Sequence, residues 1–286
     1  MANLKEIKKR IGSLKNTSQI TKAMKMVSAA KLRRAQESIV AGRPYAEKMQ
    51  EVLKNLSSGV DSSSSPLLEV RPANKVGVIL FTSDRGLCGG FNANLIKNVE
   101  KLVAEQFAGK EVIYSFYGKK GLEYFRRRGI TEKDSYTTAA PGKGYSVALE
   151  LSDKVIEAYL NGDIDEVYLV FGKFQSAMTQ IPTVERLLPI KADETSDSLE
   201  NPDFLFEPSA VNILDGLIPK YVASQLFKAI LETAASEHGA RMTAMDSASN
   251  NAKDMIGRLT IQYNRARQAA ITTELMDIIN GAQSVS

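Results

Sequence analysis

The chain has 286 residues, room for one large domain or two modest ones, and its 43% hydrophobic and 24% charged content is ordinary for a folded globular protein. No run approaches the ~20 apolar residues that span a bilayer, and the charged first ten residues lack the apolar stretch of a secretory signal, so the protein is expected to stay where it is made. One cysteine, Cys88, and one histidine, His238, exclude an internal disulfide and a His/Cys metal cluster within one chain.

The net charge of +4 is unevenly spread. Residues 1–40 hold ten Lys/Arg against Glu6 and Glu37, a balance of +8. Residues 60–210 hold 17 basic against 22 acidic, a balance of −5, and residues 211–286 are balanced. The N-terminal excess points to an acidic partner, either nucleic acid or a protein sleeve.

In chain order, residues 3–56 read as one long helix. Leu4, Ile7, Ile11 and Leu14 recur at 3–4–3 spacing, and Ile20, Met24 and Val27 resume the pattern, which is the narrow seam of a coiled coil. Ser18, Thr21 and Ser28 weaken that seam, and Pro44 is expected to bend the helix. Serines around residues 57–65 read as a linker. Residues 76–82, 112–117 and 167–171 are short apolar runs rich in β-branched and aromatic residues, as buried strands of a parallel sheet are, and residues 183–188 suggest a further strand. Helical stretches at 92–107, 119–127 and 146–160 alternate with them, which implies a Rossmann-like α/β domain with crossover connections. Residues 191–202 read as a polar loop.

From about residue 211 to 280 the helical period returns. Met242, Met245, Ala248, Ala252, Met255, Leu259, Tyr263 and Ala266 step by three or four, and Leu275, Ile278 and Ala282 continue it. Seventy residues at 1.5 Å each make a helix of about 100 Å. A domain of this chain's central size is only about 30–40 Å across, so the helix needs a helical partner, and the N-terminal helix supplies one. The expected architecture is a long antiparallel coiled coil of the two terminal helices standing on a central α/β foot, with the C-terminal end projecting as a single helix. The expected divisions are residues 1–58 for the first helix, 59–74 for a linker, 75–205 for the foot and 206–286 for the last helix.

The feature most suggestive of an enzyme is the loop Ser83-Asp84-Arg85-Gly86-Leu87-Cys88-Gly89-Gly90-Phe91-Asn92, which follows the first strand and opens a helix. An α/β fold places phosphate there. The spacing is neither G-x-G-x-x-G nor a phosphate loop ending G-K-[ST], so the loop reads better as a tight turn with Asn92 as helix N-cap. Arg126, Arg127 and Arg128 read as a solvated helix end, Met242, Met245 and Met255 as coiled-coil core, and His238 as a surface residue of a helix. Basic residues interleave with the N-terminal seam instead of lying beyond it, and the first 40 positions hold no aromatic residue. Both features weigh against a nucleic-acid binder.

Three segments resemble the gamma subunit of bacterial F-type ATP synthases. They are the run Asn16-Thr17-Ser18-Gln19-Ile20-Thr21-Lys22-Ala23-Met24-Lys25-Met26-Val27, the loop from Thr82 to Asn92, and the stretch from Tyr263 to Ser284. The last satisfies the family's pattern I-T-x-E-x-x-D-x-x-x-G-A from Ile271 to Ala282, and Ala-Ser-Glu-His-Gly-Ala-Arg-Met at residues 235–242 is also similar to the family.

The resemblance implies a non-catalytic rotor shaft, present once per complex and turning inside a hexamer of α and β subunits. Its foot would contact the epsilon subunit and the c-subunit ring, peripheral to the cytoplasmic face of the cell membrane. It implies no cofactor, metal or nucleic acid. It also implies that Arg267, Gln268 and Thr272 hydrogen-bond a loop of a β subunit, that Met24 faces an acidic β loop, and that Phe204 and Phe206 meet the c ring. Small and apolar residues near the tip, Ile278, Ile279, Gly281 and Ala282, suit an apolar sleeve. With Cys88 alone, the paired-cysteine control of photosynthetic relatives is excluded. The alternative readings are a nucleotide-binding α/β enzyme with helical arms and a basic coiled-coil nucleic-acid binder.

Overall fold

The computed structural model describes residues 4–57, 66–140, 142–190 and 210–285. In order, the elements are α1 (Leu4–Ser57), β1 (Lys75–Phe81), α2 (Phe91–Gln106), β2 (Glu111–Tyr117), α3 (Lys119–Arg126), β3 (Glu132–Tyr136), α4 (Gly144–Leu160), β4 (Glu166–Phe174), β5 (Gln180–Leu188) and α5 (Ala210–Val285). They form two compact units, Ala29–Arg241 and a second made of Met1–Ser28 with Met242–Ser286.

The larger unit is built on one sheet in the order β3-β2-β1-β4-β5, parallel except for β5, which returns antiparallel along β4. Apolar residues alternate between its two faces. Val76, Val78 and Leu80 of β1 join Phe91, Leu95 and Val99 of α2 and Phe125 of α3 in one core. Ile79 and Phe81 point the other way, onto Leu151 and Val155 of α4 and Ile218, Val222 and Leu226 of α5. The first turns of α5 therefore cover the sheet, as any crossover helix of such a fold would. Among the described strands, β3, Glu-Lys-Asp-Ser-Tyr, is the one without an apolar run, since an edge strand buries little on either face.

In the smaller unit α1 and α5 run antiparallel. Ser18 Oγ lies 3.4 Å from Ser249 Oγ, and Lys25 Nζ lies 2.6 Å from Asp246 Oδ1. The seam keeps strict 3–4 spacing but passes through different residues than the apolar pattern suggests. On α1 it continues from Leu14 through Ser18, Thr21, Lys25 and Ser28, with Thr21 and Ser28 buried. Ile20 and Val27 are 60% and 57% exposed on the other side, so they do not resume it. On α5 it runs Met242, Met245, Ser249, Ala252, Ile256, Leu259, Tyr263, Ala266; Ser249 replaces Ala248, and Met255 is 53% exposed instead of core.

Small hydroxyl residues win these positions because they let two helices approach, and a buried hydroxyl can return its hydrogen bond to its own helix. Thr21 Oγ1 donates to Thr17 O at 3.0 Å. Because Ser18 and Ser249 chiefly satisfy each other, replacing both by alanine removes no other partner and improves helix propensity. The double substitution is expected to stabilise the paired helices by about 0.5–1 kcal/mol, read as a rise in the thermal melt of far-ultraviolet circular dichroism. A lower melting temperature would contradict a replaceable polar seam.

Pro44 lies within the continuous helix α1. Beyond Ala270 every side chain from Ile271 to Gly281 is exposed, so Leu275 and Ile278 extend no seam. Among the described residues no helix is long and apolar enough to cross a membrane.

Candidate functional site

A doubly wound sheet opens a crevice where its strand order reverses, at the C-terminal ends of β1 and β4. Here that crevice holds protein. Ser236 Oγ of α5 donates to Gly172 O of β4 at 2.7 Å, and Glu232 accepts from Phe174 N at 2.7 Å. Gly172 allows the approach, since a Cβ there would stand 2.6 Å from Phe91 Cε2 and 3.3 Å from Ser236 Cβ.

The glycine-rich loop is turned away from anion binding. The carbonyls of Arg85 and Gly86 accept from the Arg241 guanidinium at 3.2 Å each. A phosphate cradle presents amide N–H groups; this loop presents oxygens to a cation. Asp84 fills the other anion position. Its carboxylate accepts from Lys119 N at the start of α3 (3.0 Å), Thr138 N (3.1 Å) and Thr138 Oγ1 (2.6 Å).

Asn92 does not cap α2, whose N-cap is Gly90 without a side-chain bond. Its amide instead ties the loop internally, accepting from Ser83 N at 3.0 Å and lying 2.8 Å from Ser83 Oγ and 3.2 Å from Cys88 Sγ. Cys88 is buried in that knot. The loop is a socket for a helix.

The centre of the socket is the pair Glu237–Arg241, 2.6 Å apart and almost fully enclosed. Burial pushes the Glu237 carboxyl up, against the attraction of Arg241. The signal legible in the sequence was an acid and a base four apart on a helix, among Ala235, Ser236, Gly239 and Ala240, small residues that admit a neighbouring backbone.

His238 is not a surface residue. It is half-buried, with Nδ1 3.5 Å from Arg241. Burial, then the charges of Arg241 and Lys31, push its pKa down to about 4. An unfolded histidine titrates near 6.5, so the unfolded chain binds a proton that the folded chain refuses. The stability this contributes is complete above pH 6.5 and is lost as pH falls toward about 4. Glu237, with its raised pKa, works in the opposite sense as pH falls. The informative comparison is therefore between parent and His238→Gln. Near pH 4.5 the variant is expected to be spared about 2–3 kcal/mol of the parent's acid destabilisation, at 1.36 kcal/mol per pKa unit. Parallel urea midpoints for the two proteins from pH 7 to 4.5 would contradict a neutral His238.

The other sequence candidates lie elsewhere. Arg126 pairs with Glu132, and Arg128 lies 3.7 Å from Glu100 and 3.8 Å above the Tyr124 ring. The triple arginine is thus an ordered helix end. Arg267, Gln268 and Thr272 stand exposed on consecutive turns of α5, with Thr272 Oγ1 donating to Gln268 O at 2.9 Å. Met24 is half-buried beside the Lys25–Asp246 pair, about 30 Å away along the helix at 1.5 Å per residue. Those four residues do not form one cluster. Phe204 and Phe206 lie outside the described residues.

The profile of the family described as ATP synthase matches residues 3–285. The ATP synthase gamma chain of Geobacter metallireducens is 55% identical, covering 100% of this chain and 99% of the relative. That of Geotalea daltonii is 54% identical with the same coverage. Among solved structures, a chain of the Euglena gracilis mitochondrial ATP synthase, in its OSCP/F1/c-ring assembly, superposes with a TM-score of 0.73 at 19% identity, covering 99% of this chain and 94% of that one. A chain of the Tetrahymena thermophila central stalk and c ring gives 0.62 at 24% identity, covering 80% and 99%. At those identities the structures speak for the fold.

Proposed function

The chain belongs to the ATP synthase gamma chain family, and on that premise we propose that it is the non-catalytic central shaft of the rotor. It turns inside the hexamer of α and β subunits and couples proton flow through the c ring to ATP synthesis or hydrolysis on the β subunits. The observation that carries this reading is the antiparallel pairing of α1 and α5 on a continuous 3–4 seam, ending in a stretch of α5, residues 271–281, whose side chains are all exposed. A pair of helices transmits twist as one element. Its faces differ in chemistry, so each surrounding β subunit meets a different surface and holds a different affinity, which rotation exchanges. An asymmetric, stiff element is what biasing several two-state partners requires.

In this reading the foot contacts the epsilon subunit and rests on the c ring, one copy per complex, peripheral to the cytoplasmic face of the cell membrane. Phe204 and Phe206 meet the ring, Met24 faces an acidic β loop, and Arg267, Gln268 and Thr272 hydrogen-bond a β subunit. Arg267 and Gln268 are exposed to such bonds, and exposed Thr272, whose hydroxyl donates to Gln268 O, can still accept one. The competing reading of a nucleotide enzyme finds no support in a crevice filled by Ser236 and Glu232 and a loop whose carbonyls face Arg241.

The test is co-purification with tagged α and β subunits, followed by ATPase assay with and without this chain. One copy per hexamer and raised turnover are expected; failure to join the hexamer would overturn the reading. Within the assembled complex, Arg267→Ala with Gln268→Ala removes one charge-assisted bond worth about 1.5–3 kcal/mol and one amide bond worth about 0.5–1.5 kcal/mol. ATP-driven torque should fall more than on trimming the last few residues, measured by single-molecule rotation. Equal and negligible effects would remove these residues from the contact.

A further inference from the structure

The turn that joins β4 to β5 holds a methionine out into water. Among the described residues Met178 is the most exposed methionine, at 83%, against 61% for Met26, 53% for Met255 and 52% for Met276. Met24 and Met242 are half-buried, and Met49 and Met245 are buried. The turn is fixed without help from the Met178 side chain. Ser176 Oγ accepts from Met178 N at 3.3 Å and from Thr179 N at 3.0 Å, and Thr179 O accepts from Ser176 N at 3.0 Å. Gln180 Nε2 closes the frame by donating to Ala177 O at 2.9 Å and to Ser176 O at 3.1 Å. Ala177 backs onto α5, since a Cβ on Gly239 would stand 3.4 Å from Ala177 Cα. A single exposed apolar side chain is ordinary on a protein surface. The chemistry of this one is not, because a thioether in water is open to oxidants.

We propose that Met178 is an oxidation site, at which peroxide converts the thioether to the sulfoxide and the fold tolerates the change. A sulfur lone pair attacks one peroxide oxygen; the S–O bond forms as the O–O bond breaks. The transferred oxygen sheds its proton to the departing hydroxide, which leaves as water. Sulfur loses two electrons and the peroxide gains them. The new oxygen points into solvent and takes its hydrogen bonds from water, and no bond of the turn passes through the side chain. A sulfoxide at Met49 or Met245 would instead bury a polar group inside packed helices. The same exposure opens the Met178 sulfoxide to methionine sulfoxide reductases, so the modification is reversible. One consequence rests on the shaft reading above. Met26, Met255 and Met276 belong to the unit made of Met1–Ser28 with Met242–Ser286, which the hexamer then encloses, whereas Met178 belongs to the other unit. In the assembled complex Met178 is therefore the methionine that stays reactive.

The test is dilute hydrogen peroxide on the free chain and on the assembled complex, with the oxygen gained by each methionine peptide followed by mass spectrometry. In the free chain Met178 should react fastest, about tenfold ahead of Met49 and Met245. On assembly its rate should hold while those of Met26, Met255 and Met276 fall about tenfold. A chain oxidised at Met178 alone should keep the thermal melt of the parent, and a sulfoxide reductase should restore the thioether. Met178→Leu, which has no sulfur to oxidise, should remove the fastest phase. A Met178 as slow as Met245 in the free chain, a rate that falls on assembly, or a melt lowered by its sulfoxide would overturn the proposal and leave the shaft reading in place. Unslowed oxidation of Met26, Met255 and Met276 in the complex would overturn the shaft reading, while a fast, silent Met178 would still support the oxidation site.

Discussion

Replacing Arg241 by methionine is expected to cost about 3–5 kcal/mol of stability, because it leaves the buried Glu237 carboxylate without its partner. Arg241 and Glu237 side chains are 11% and 12% exposed, so water has little access to the stranded carboxylate. The guanidinium also reaches across to Arg85 O and Gly86 O, so the substitution loosens the glycine-rich loop from α5 as well as the ion pair. Nine of the ten tyrosines lie between residues 29 and 241, so the near-ultraviolet circular dichroism of a urea titration follows the α/β unit.

Two controls give the number meaning. Glu237→Gln combined with Arg241→Met should cost less than the sum of the single changes, since removing both charges strands neither. The single Arg241→Met should also be less damaging near pH 5 than near pH 7. Without the guanidinium the buried Glu237 carboxyl rises further and accepts a proton, which ends the penalty of an unpaired charge. A loss under about 1 kcal/mol would mean that the pair is as dispensable as a surface salt bridge.

Gly118→Ala should be still more disruptive. Gly118 joins β2 to α3 with φ +94°, and a Cβ there would stand 2.0 Å from Thr82 O and 2.6 Å from Thr82 C. Neither atom can yield, because Thr82 N donates to Tyr117 O at 2.7 Å and Gly118 N donates to Tyr136 O at 2.8 Å. These bonds fix three parallel strands at the edge where the loop begins. A cost beyond about 4–5 kcal/mol is expected, and the variant should accumulate in the insoluble fraction.

Gly129 supplies the comparison. Its φ is +79°, yet a Cβ would meet nothing within 4 Å. Gly129→Ala therefore carries only the left-handed strain of about 1–2 kcal/mol, and should remain soluble with a lowered melting temperature. If both variants express and melt alike, backbone collision at Gly118 is not what selects glycine there.

Much of this architecture is a direct consequence of sequence period. Short β-branched runs separated by helical stretches can bury both faces only in a parallel, doubly wound sheet, and the four apolar runs became β1, β2, β4 and β5. Only β3 was hidden, because an edge strand of Glu, Lys, Asp, Ser and Tyr has no apolar period to detect. The length of the two terminal helices was equally legible, since nothing but a partner helix or a sheet can shelter so long an apolar stripe.

What tertiary structure decided was which side chains the partners hold. Counting apolar residues placed Ile20, Val27 and Met255 in the seam, whereas the helices pair through Ser18, Thr21, Ser28, Ser249 and Ile256. Seam geometry is governed by how closely two backbones approach, and a small hydroxyl satisfied within its own helix permits a closer approach than a branched aliphatic. The same holds for the glycine-rich loop. Its spacing could exclude two phosphate-binding patterns, but that its carbonyls would face Arg241, and that His238 would be driven neutral beside it, depended on residues some 150 positions away in the chain. Local chemistry determines a turn; what the turn binds is settled by whatever the rest of the fold presses against it.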